Sequence, residues 1–351
     1  MAEIKVEKLA LSQFRSHLKA ISTFMDDPAV QEIMVNRPGE VWIEKQGEMR
    51  RVEVDEISQV NLRTAIAALA GANDRSIEPV LDCRMPGFRI AAALAPVGIH
   101  GPAICIRKHG NTVRTLDDYL PSFVWGRAKD AKGNDAAPDL RSGTPESIRD
   151  YVRWLVRTRR SVLIAGGTSS GKTTFLNGYV REIPADERLI TIEDTAELKV
   201  VTPNYVSLET NPTANVGIRE LVRLSLRFRP DRIVVGEVRG GECYDLLDAM
   251  NTGHEGGATT LHANSPIDAL ARLESMVRMS GSAANLPLAA LRRQIASAFA
   301  AVIYCKHRGA VRGPEQIMEI HGATDEGYVT RTVFDATTDK PTTDDNRRES
   351  A

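Results

Sequence analysis

Two hydrophobic periodicities divide the chain. Near the start, Leu11, Phe14, Leu18 and Ile21 recur at offsets of three and four, with Gln13, Arg15 and Lys19 off that stripe, and the spacing predicts an amphipathic helix. Its polar face is not strongly cationic, so a packed element is expected over a membrane-surface anchor. Short β-rich runs follow at Glu32-Ile33-Met34-Val35, Glu40-Val41-Trp42-Ile43-Glu44 and Met49-Arg50-Arg51-Val52, separated by turn signals of hairpin type. A helical run from Leu62 to Leu69 precedes an expected loop at Gly71-Ala72-Asn73-Asp74. Phe88 to Ala92 and Ala103 to Arg107 then read as strands. Residues 1–125 therefore read as a mixed α+β N-terminal domain with mostly antiparallel strands.

Over residues 126–143 the pattern gives way to a polar, Gly/Ala/Asp/Pro-rich stretch, with Lys132-Gly133-Asn134-Asp135-Ala136-Ala137-Pro138 at its centre, and a linker is expected there. Thr144-Pro145-Glu146 supplies an N-cap, a proline at the first helical position and a first-turn acid, which start a helix running to about Arg159. Apolar runs at Val162–Ala165, Leu189–Ile192, Val206–Leu208, Ile233–Val235 and Thr259–Leu261 then alternate with helical stretches, the pattern of a largely parallel sheet covered by helices. This second domain is expected over 144–335. Residues 336–351 have little to bury and read as a disordered tail.

At 351 residues, 42% hydrophobic and 26% charged, the chain fits two globular domains. It lacks both an apolar run of about 18 residues and a secretory leader pattern, so a cytoplasmic location is expected. The four scattered cysteines show neither metal-ligand nor disulfide-framework spacing. A net charge of -1 excludes a global basic field of the kind that supports non-specific nucleic-acid binding. Two local arginine clusters remain, Arg149/153/157/159/160 and Arg219/223/227/229/232, and read as solvated faces or subunit contacts.

The chemistry centres on Gly166-Gly167-Thr168-Ser169-Ser170-Gly171-Lys172-Thr173-Thr174, which satisfies G-x-x-x-x-G-K-[ST] between a buried strand and a helix start. Backbone N–H groups of such a turn form a concave donor array for polyphosphate. Lys172 would reach the terminal phosphates and Thr173 would place its hydroxyl on Mg²⁺, so ATP and Mg²⁺ are the expected ligands. Hydrolysis needs more than this cradle. Two apolar strands end in acids: one leads into Glu193-Asp194, the other, in the position of a Walker B strand, leads into Gly236-Glu237. Glu237 would hold Mg²⁺ through water, and Glu193 would orient or deprotonate the attacking water. His262, in Thr260-Leu261-His262-Ala263-Asn264-Ser265, would donate a ring N–H to the γ-phosphate or to Glu237 and couple the two, without acting as the base.

From Val162 to Ser265 the chain resembles the secretion ATPases shared by type II secretion, type IV pili and type IV secretion or conjugation. The Walker A loop, the acidic box Thr191-Ile192-Glu193-Asp194, the atypical Walker B segment Gly236-Glu237-Val238-Arg239-Gly240-Gly241-Glu242 and the His box appear in the family's order. The similarity covers most of residues 25–320 and is greatest to the traffic ATPases of type IV secretion and conjugative DNA transfer. It implies an α/β protein with a RecA-like P-loop ATPase domain behind a smaller α+β domain. It also implies a homo-hexamer that works with inner-membrane secretion-channel subunits and other ATPases of the complex, peripheral to the cytoplasmic face of the inner membrane. Two N-terminal-domain arginines of the family contact the nucleotide phosphates, and Arg89 and Arg107 match them. Ser169 stands where the family usually has glycine, and Ala95 replaces the first proline of a common pair. The activity implied is Mg²⁺-dependent ATP hydrolysis that powers substrate export or pilus biogenesis. A DNA-stimulated translocase, with direct nucleic-acid binding, and a nucleotide-gated scaffold with little hydrolysis stay open as alternatives.

Overall fold

The computed structural model describes residues 2–54, 57–72, 78–108, 144–308 and 311–337. The linker expected over 126–143 lies outside the described residues, as does all of the expected tail except Ala336 and Thr337. The chain forms two compact units, residues 1–133 with 204–229, and residues 134–203 with 230–351. The strand read at Val206–Leu208 thus groups with the first unit, although the alternation of strands and helices placed it in the contiguous 144–335 domain.

In the first unit, helices α1 (Ala2–His17), α2 (Ser22–Asp26) and α3 (Gln59–Ala72) accompany a six-stranded sheet. Its strands are β1 (Val30–Arg37), β2 (Glu40–Lys45), β3 (Glu48–Val52), β4 (Val80–Met85), β5 (Phe88–Ala93) and β6 (Ala103–Lys108), ordered β3-β2-β1-β6-β5-β4 with every pairing antiparallel. The helix expected through Ile21 ends at His17, and Ile21 lies on a 3-10 turn (Lys19–Ile21), but the apolar stripe still faces inward: Phe14, Leu18 and Ile21 are buried together with Leu62, Ile66 and Leu69 of α3 and with Ile33, Ile43, Ile90 and Ile106 of the sheet. Gly71 and Ala72, read as loop, close α3 instead.

Strand β9 (Tyr205–Glu209) and helix α6 (Ile218–Ser225) also belong to this unit. The Ile99 and Glu209 amides donate to the Ser207 and Val97 carbonyls at 3.2 and 2.9 Å. After α6, Arg229 forks onto Glu44 with contacts of 2.7 and 2.9 Å, and Arg227 lies 3.6 Å from Asp82.

The second unit begins as its sequence dictates. Thr144 Oγ1 accepts the Ser147 amide at 3.3 Å, Pro145 opens helix α4 (Pro145–Arg157), and Glu146 lies in its first turn. Strands β7 (Val162–Gly166), β8 (Leu189–Glu193), β10 (Arg232–Val235), β11 (Ala258–Leu261), β12 (Ala301–Arg308), β13 (Val311–Ala323) and β14 (Tyr328–Asp335) are ordered β14-β13-β12-β7-β11-β10-β8. From β12 to β8 every pairing is parallel, while β13 and β14 add an antiparallel edge that the sequence reading lacked. Helix α5 (Lys172–Arg181) packs on β7 and β11; α8 (Pro266–Arg278) and α9 (Leu288–Ala298) pack on β13, and α7 (Glu242–Asn251) on α8 and α9. Strand β7 is buried along its whole length, which explains its unbroken apolar run.

The arginine clusters are not simply solvated faces. Arg232 is wholly buried, forked onto Glu187, and donates to the Val156 and Gly256 carbonyls at 2.7 and 3.0 Å. Arg153 pairs with Glu182 at 3.0 Å, Arg159 with Glu187 at 3.3 Å, and Arg160 stacks on Trp154. Residues three or four apart on a helix share a face, but sequence spacing does not tell whether acids from other elements meet that face.

Candidate functional site

Strand β7 runs into the glycine-bearing loop, and α5 leaves it. Gly166 must be glycine because a Cβ there would overlap the Cys305 carbonyl of the adjoining β12. Gly171, at φ +92°, caps α5 in the left-handed region that glycine enters without strain. Ser169 occupies the same region at φ +59°, so the family's usual glycine there has a conformational reason, and the serine is held in a less favourable state.

Lys172 is 8% exposed and turns back on its loop, donating to the Gly166 and Gly167 carbonyls at 3.0 and 2.9 Å. Burial lowers its pKa, opposed by the charge of Glu237. The parallel order of β7, β11, β10 and β8 brings the residues at their C-terminal ends to one edge, where open α/β sheets bind ligands. Glu193 closes β8, Glu237 follows β10 and His262 follows β11. Together with Thr168, Ser169, Lys172, Thr173, Asp194 and Arg239 they line one cavity of about 310 Å³.

Each acid is held differently. Glu193 is buried, and its Oε1 accepts the amides of Glu197 and Leu198, both at 3.0 Å, which orders the loop after β8. Its Cγ lies against Gly236, so close that a Cβ on residue 236 would stand 3.1 Å away. That contact accounts for glycine at the position where a Walker B strand often carries aspartate. Glu237 Oε2 accepts from Arg239 Nη2 at 2.6 Å, and Arg239 Nη1 lies 3.3 Å from Asp194.

His262 sits between the lysine and this acid. Its Nδ1 is 3.5 Å from Lys172 Nζ, and its Nε2 is 3.0 Å from Glu237 Oε1. The second distance suits an ion pair, but Oε1 has no aligned hydrogen-bond donor among the described residues. Burial, then the Lys172 charge, lowers the His262 pKa, with Glu237 opposing. An ammonium can only donate, so its contact with Nδ1 goes with the neutral tautomer that carries its proton on Nε2, an N–H that is near Glu237 Oε1 but not aligned on it.

The structure therefore brings together Lys172, Thr173, Glu193, Glu237 and His262. Arg89 and Arg107 belong to the first unit, where β5 and β6 set them directly opposite one another. Arg89 is forked onto Asp82 at 2.9 and 3.1 Å; Arg107 is 73% exposed and 3.7 Å from Glu32. Sequence reasoning missed Arg239, whose only signal was its place two residues after Glu237.

Comparison with known proteins decides the family. Residues 139–318 match the family described as Type II/IV secretion system protein. The chain is 31% identical over 339 residues to the conjugal transfer protein TrbB of Rhizobium radiobacter, covering 91% of this chain and 96% of that protein. The chain belongs to the type II/IV secretion system protein family. Within it the chain groups with the ATPases of type IV secretion and conjugative transfer. The type IV secretion system protein VirB11 of Brucella suis biovar 1 (strain 1330) is 34% identical over 314 residues, with 83% of this chain and 84% of that protein covered. The crystal structure of the VirB11 ATPase from the Brucella suis type IV secretion system in complex with sulphate superposes with a TM-score of 0.77 at 31% identity. It covers 92% of this chain and 95% of that one. Among the described residues, no helix is long and apolar enough to cross a membrane.

Proposed function

We propose that this secretion-family ATPase hydrolyses ATP with Mg²⁺ at the loop of residues 166–174 and couples the cycle to substrate export or pilus biogenesis in a type IV secretion or conjugation system. The observation that carries the reading is the convergence of Glu193, Glu237 and His262 around Lys172 in one cavity beside the phosphate loop. In this reading the loop amides and Lys172 hold the β- and γ-phosphates. Lys172 then exchanges its contacts with the Gly166 and Gly167 carbonyls for phosphate oxygens. Glu193 polarises the attacking water, fixed for that purpose by its two amide contacts. His262, neutral and with its proton on Nε2 near Glu237, reports the γ-phosphate to that acid.

The donor set suits Mg²⁺. The described residues contain no cluster of three or more His, Cys, Asp or Glu arranged to hold a metal on its own. Mg²⁺ does not require one, because it commonly takes phosphate oxygens and waters with one or two protein oxygens. Thr173, through its hydroxyl, and Glu237, through water, would hold it, and the ion when bound would neutralise charge on the phosphates. Arg89 and Arg107 are assigned to the phosphates on the family resemblance, supported by the exposure of Arg107. Assembly as a homo-hexamer with inner-membrane channel subunits and partner ATPases, at the cytoplasmic face of the inner membrane, completes the reading.

The Glu193→Gln protein tests it. It should bind ATP as wild type does, lose turnover by about 10²-fold or more, and fail to support export in cells. Export undiminished in that variant would favour a nucleotide-gated scaffold. Turnover stimulated by single-stranded DNA across a salt series would favour a DNA translocase.

A further inference from the structure

The phosphate loop lines a second cavity. Adjoining the acid-lined cavity lies a depression of about 180 Å³, lined by the loop residues from Ser169 to Thr174 and by Arg312. The two share Ser169, Lys172 and Thr173, so they adjoin along one stretch of loop. Their charge differs. The first contains Glu193, Asp194, Glu197 and Glu237, whereas the second is lined by two cations, hydroxyls and glycine, with no acid.

Arg312 reaches this place through the antiparallel edge of the sheet. Strand β12 pairs with β7 so that Cys305 stands opposite Gly166, and β13 pairs with β12 so that Arg312 stands opposite His307. The root of the Arg312 side chain packs against the loop, where a Cβ on Gly171 would lie 3.3 Å from its own Cβ. Arg312 is exposed and makes no ion pair among the described residues. A second observation is made at a residue that lines the depression: Ser170 is 2% exposed, and its Oγ, packed beside Gly166, has no hydrogen-bond partner among the described residues. A buried hydroxyl without a partner is costly unless a ligand or water supplies one.

We propose that Arg312 binds the diphosphate half of the nucleotide, in the acid-free depression that adjoins the cavity holding Glu193 and Glu237. The inference rests on the nucleotide-binding reading of residues 166–174. The acid-lined cavity takes the end of the ligand where water attacks. The depression at Ser170, Gly171 and Thr174, beside the first turn of α5, takes the α- and β-phosphates. A planar guanidinium suits two neighbouring phosphate oxygens better than an ammonium does. Arg312 therefore contributes equally to ATP and ADP, and so sets product retention as well as substrate capture.

The test is calorimetric titration of the full chain with ADP, and with inorganic pyrophosphate as the nucleoside-free probe, alongside the KM for ATP. Arg312→Lys, Arg312→Ala and Arg312→Glu all keep the Cβ that touches Gly171. ADP affinity should fall in that order, by about tenfold for Arg312→Ala, with pyrophosphate affinity and the ATP KM worsening by the same factor. ADP and pyrophosphate affinities within twofold of wild type in Arg312→Ala and Arg312→Glu overturn the inference. So does a loss for ATP without one for ADP, which would place the arginine at the γ-phosphate. A wild-type protein that binds neither ATP nor ADP overturns the nucleotide reading itself, which keeps the two failures distinct.

Discussion

Replacing Gly236 by alanine places one methyl group against the side chain that the proposed mechanism depends on. The backbone at 236 is not among the positive-φ glycines, so alanine meets no conformational penalty and the effect is purely one of contact. The new Cβ would stand 3.1 Å from Glu193 Cγ, 3.6 Å from the Ile192 carbonyl and 3.7 Å from Glu193 Cβ. Comfortable carbon contacts begin near 3.5 Å, so Glu193 must yield by about 0.4 Å. It cannot do so freely, because its Oε1 holds the Glu197 and Leu198 amides and the side chain is 4% exposed. Residue 236 cannot retreat easily either, since its amide donates to the Ile192 carbonyl and its carbonyl accepts Thr260 Oγ1, both at 2.8 Å. Partial loss of one charge-assisted contact costs about 1 kcal/mol of stability, read by urea denaturation. A displaced carboxylate lowers kcat by about 10- to 100-fold in a steady-state phosphate-release assay, while the ATP KM moves by less than about threefold. If alanine acts only through Glu193, it should do little further harm to turnover in a Glu193→Gln background. Additive losses in the double variant, or a raised KM with kcat intact, would refute the steric account.

Three further outcomes follow from the same geometry. Because the His262 pKa is lowered below its ordinary 6.5, the neutral ring persists as pH falls past 6.5, and its contribution is lost only as pH drops through the depressed value. Wild-type turnover should therefore show an acid limb below pH 6.5 that His262→Gln abolishes; an unchanged limb in the variant would assign it elsewhere. Ser169→Gly relieves a left-handed serine at φ +59° but loosens the unfolded chain, for a net gain of about 1 kcal/mol or less in urea denaturation, and a clear loss would show that the serine side chain supports the loop. Glu187→Ala leaves the 0%-exposed Arg232 without its buried partner and should cost about 3–5 kcal/mol; a loss below about 1 kcal/mol would contradict the buried-pair assignment.

Much of this architecture was legible where local rules suffice. The stripe through Phe14, Leu18 and Ile21, the Thr144 cap and the buried β7 run each follow from spacing or a single residue type, and the structure keeps them. Strand β4 went unread although Leu81, Cys83 and Met85 alternate with Asp82 and Arg84 in the period of a half-buried strand. Strand β13 contains Gly313, Pro314 and Gly322, residues that argue against a strand until bulges at Tyr304/Cys305 and Ile320/Gly322 absorb them. The acids and His262 could be nominated because strand ends in parallel sheets face ligands. Their meeting at Lys172 depends on the order β7-β11-β10-β8, which no local pattern encodes. Arg239 and Arg312 were missed for the same reason, since an arginine's neighbours are set by tertiary pairing.

The most direct test of the central claim is ATP turnover, with Mg²⁺ supplied, of Lys172→Ala beside wild type. Lys172 is the charged residue shared by the acid-lined cavity and the depression at Arg312. Wild type should hydrolyse ATP, and the variant should lose at least about 10²-fold of that rate. Equal turnover in the two proteins would contradict the assignment of this loop as the site of hydrolysis.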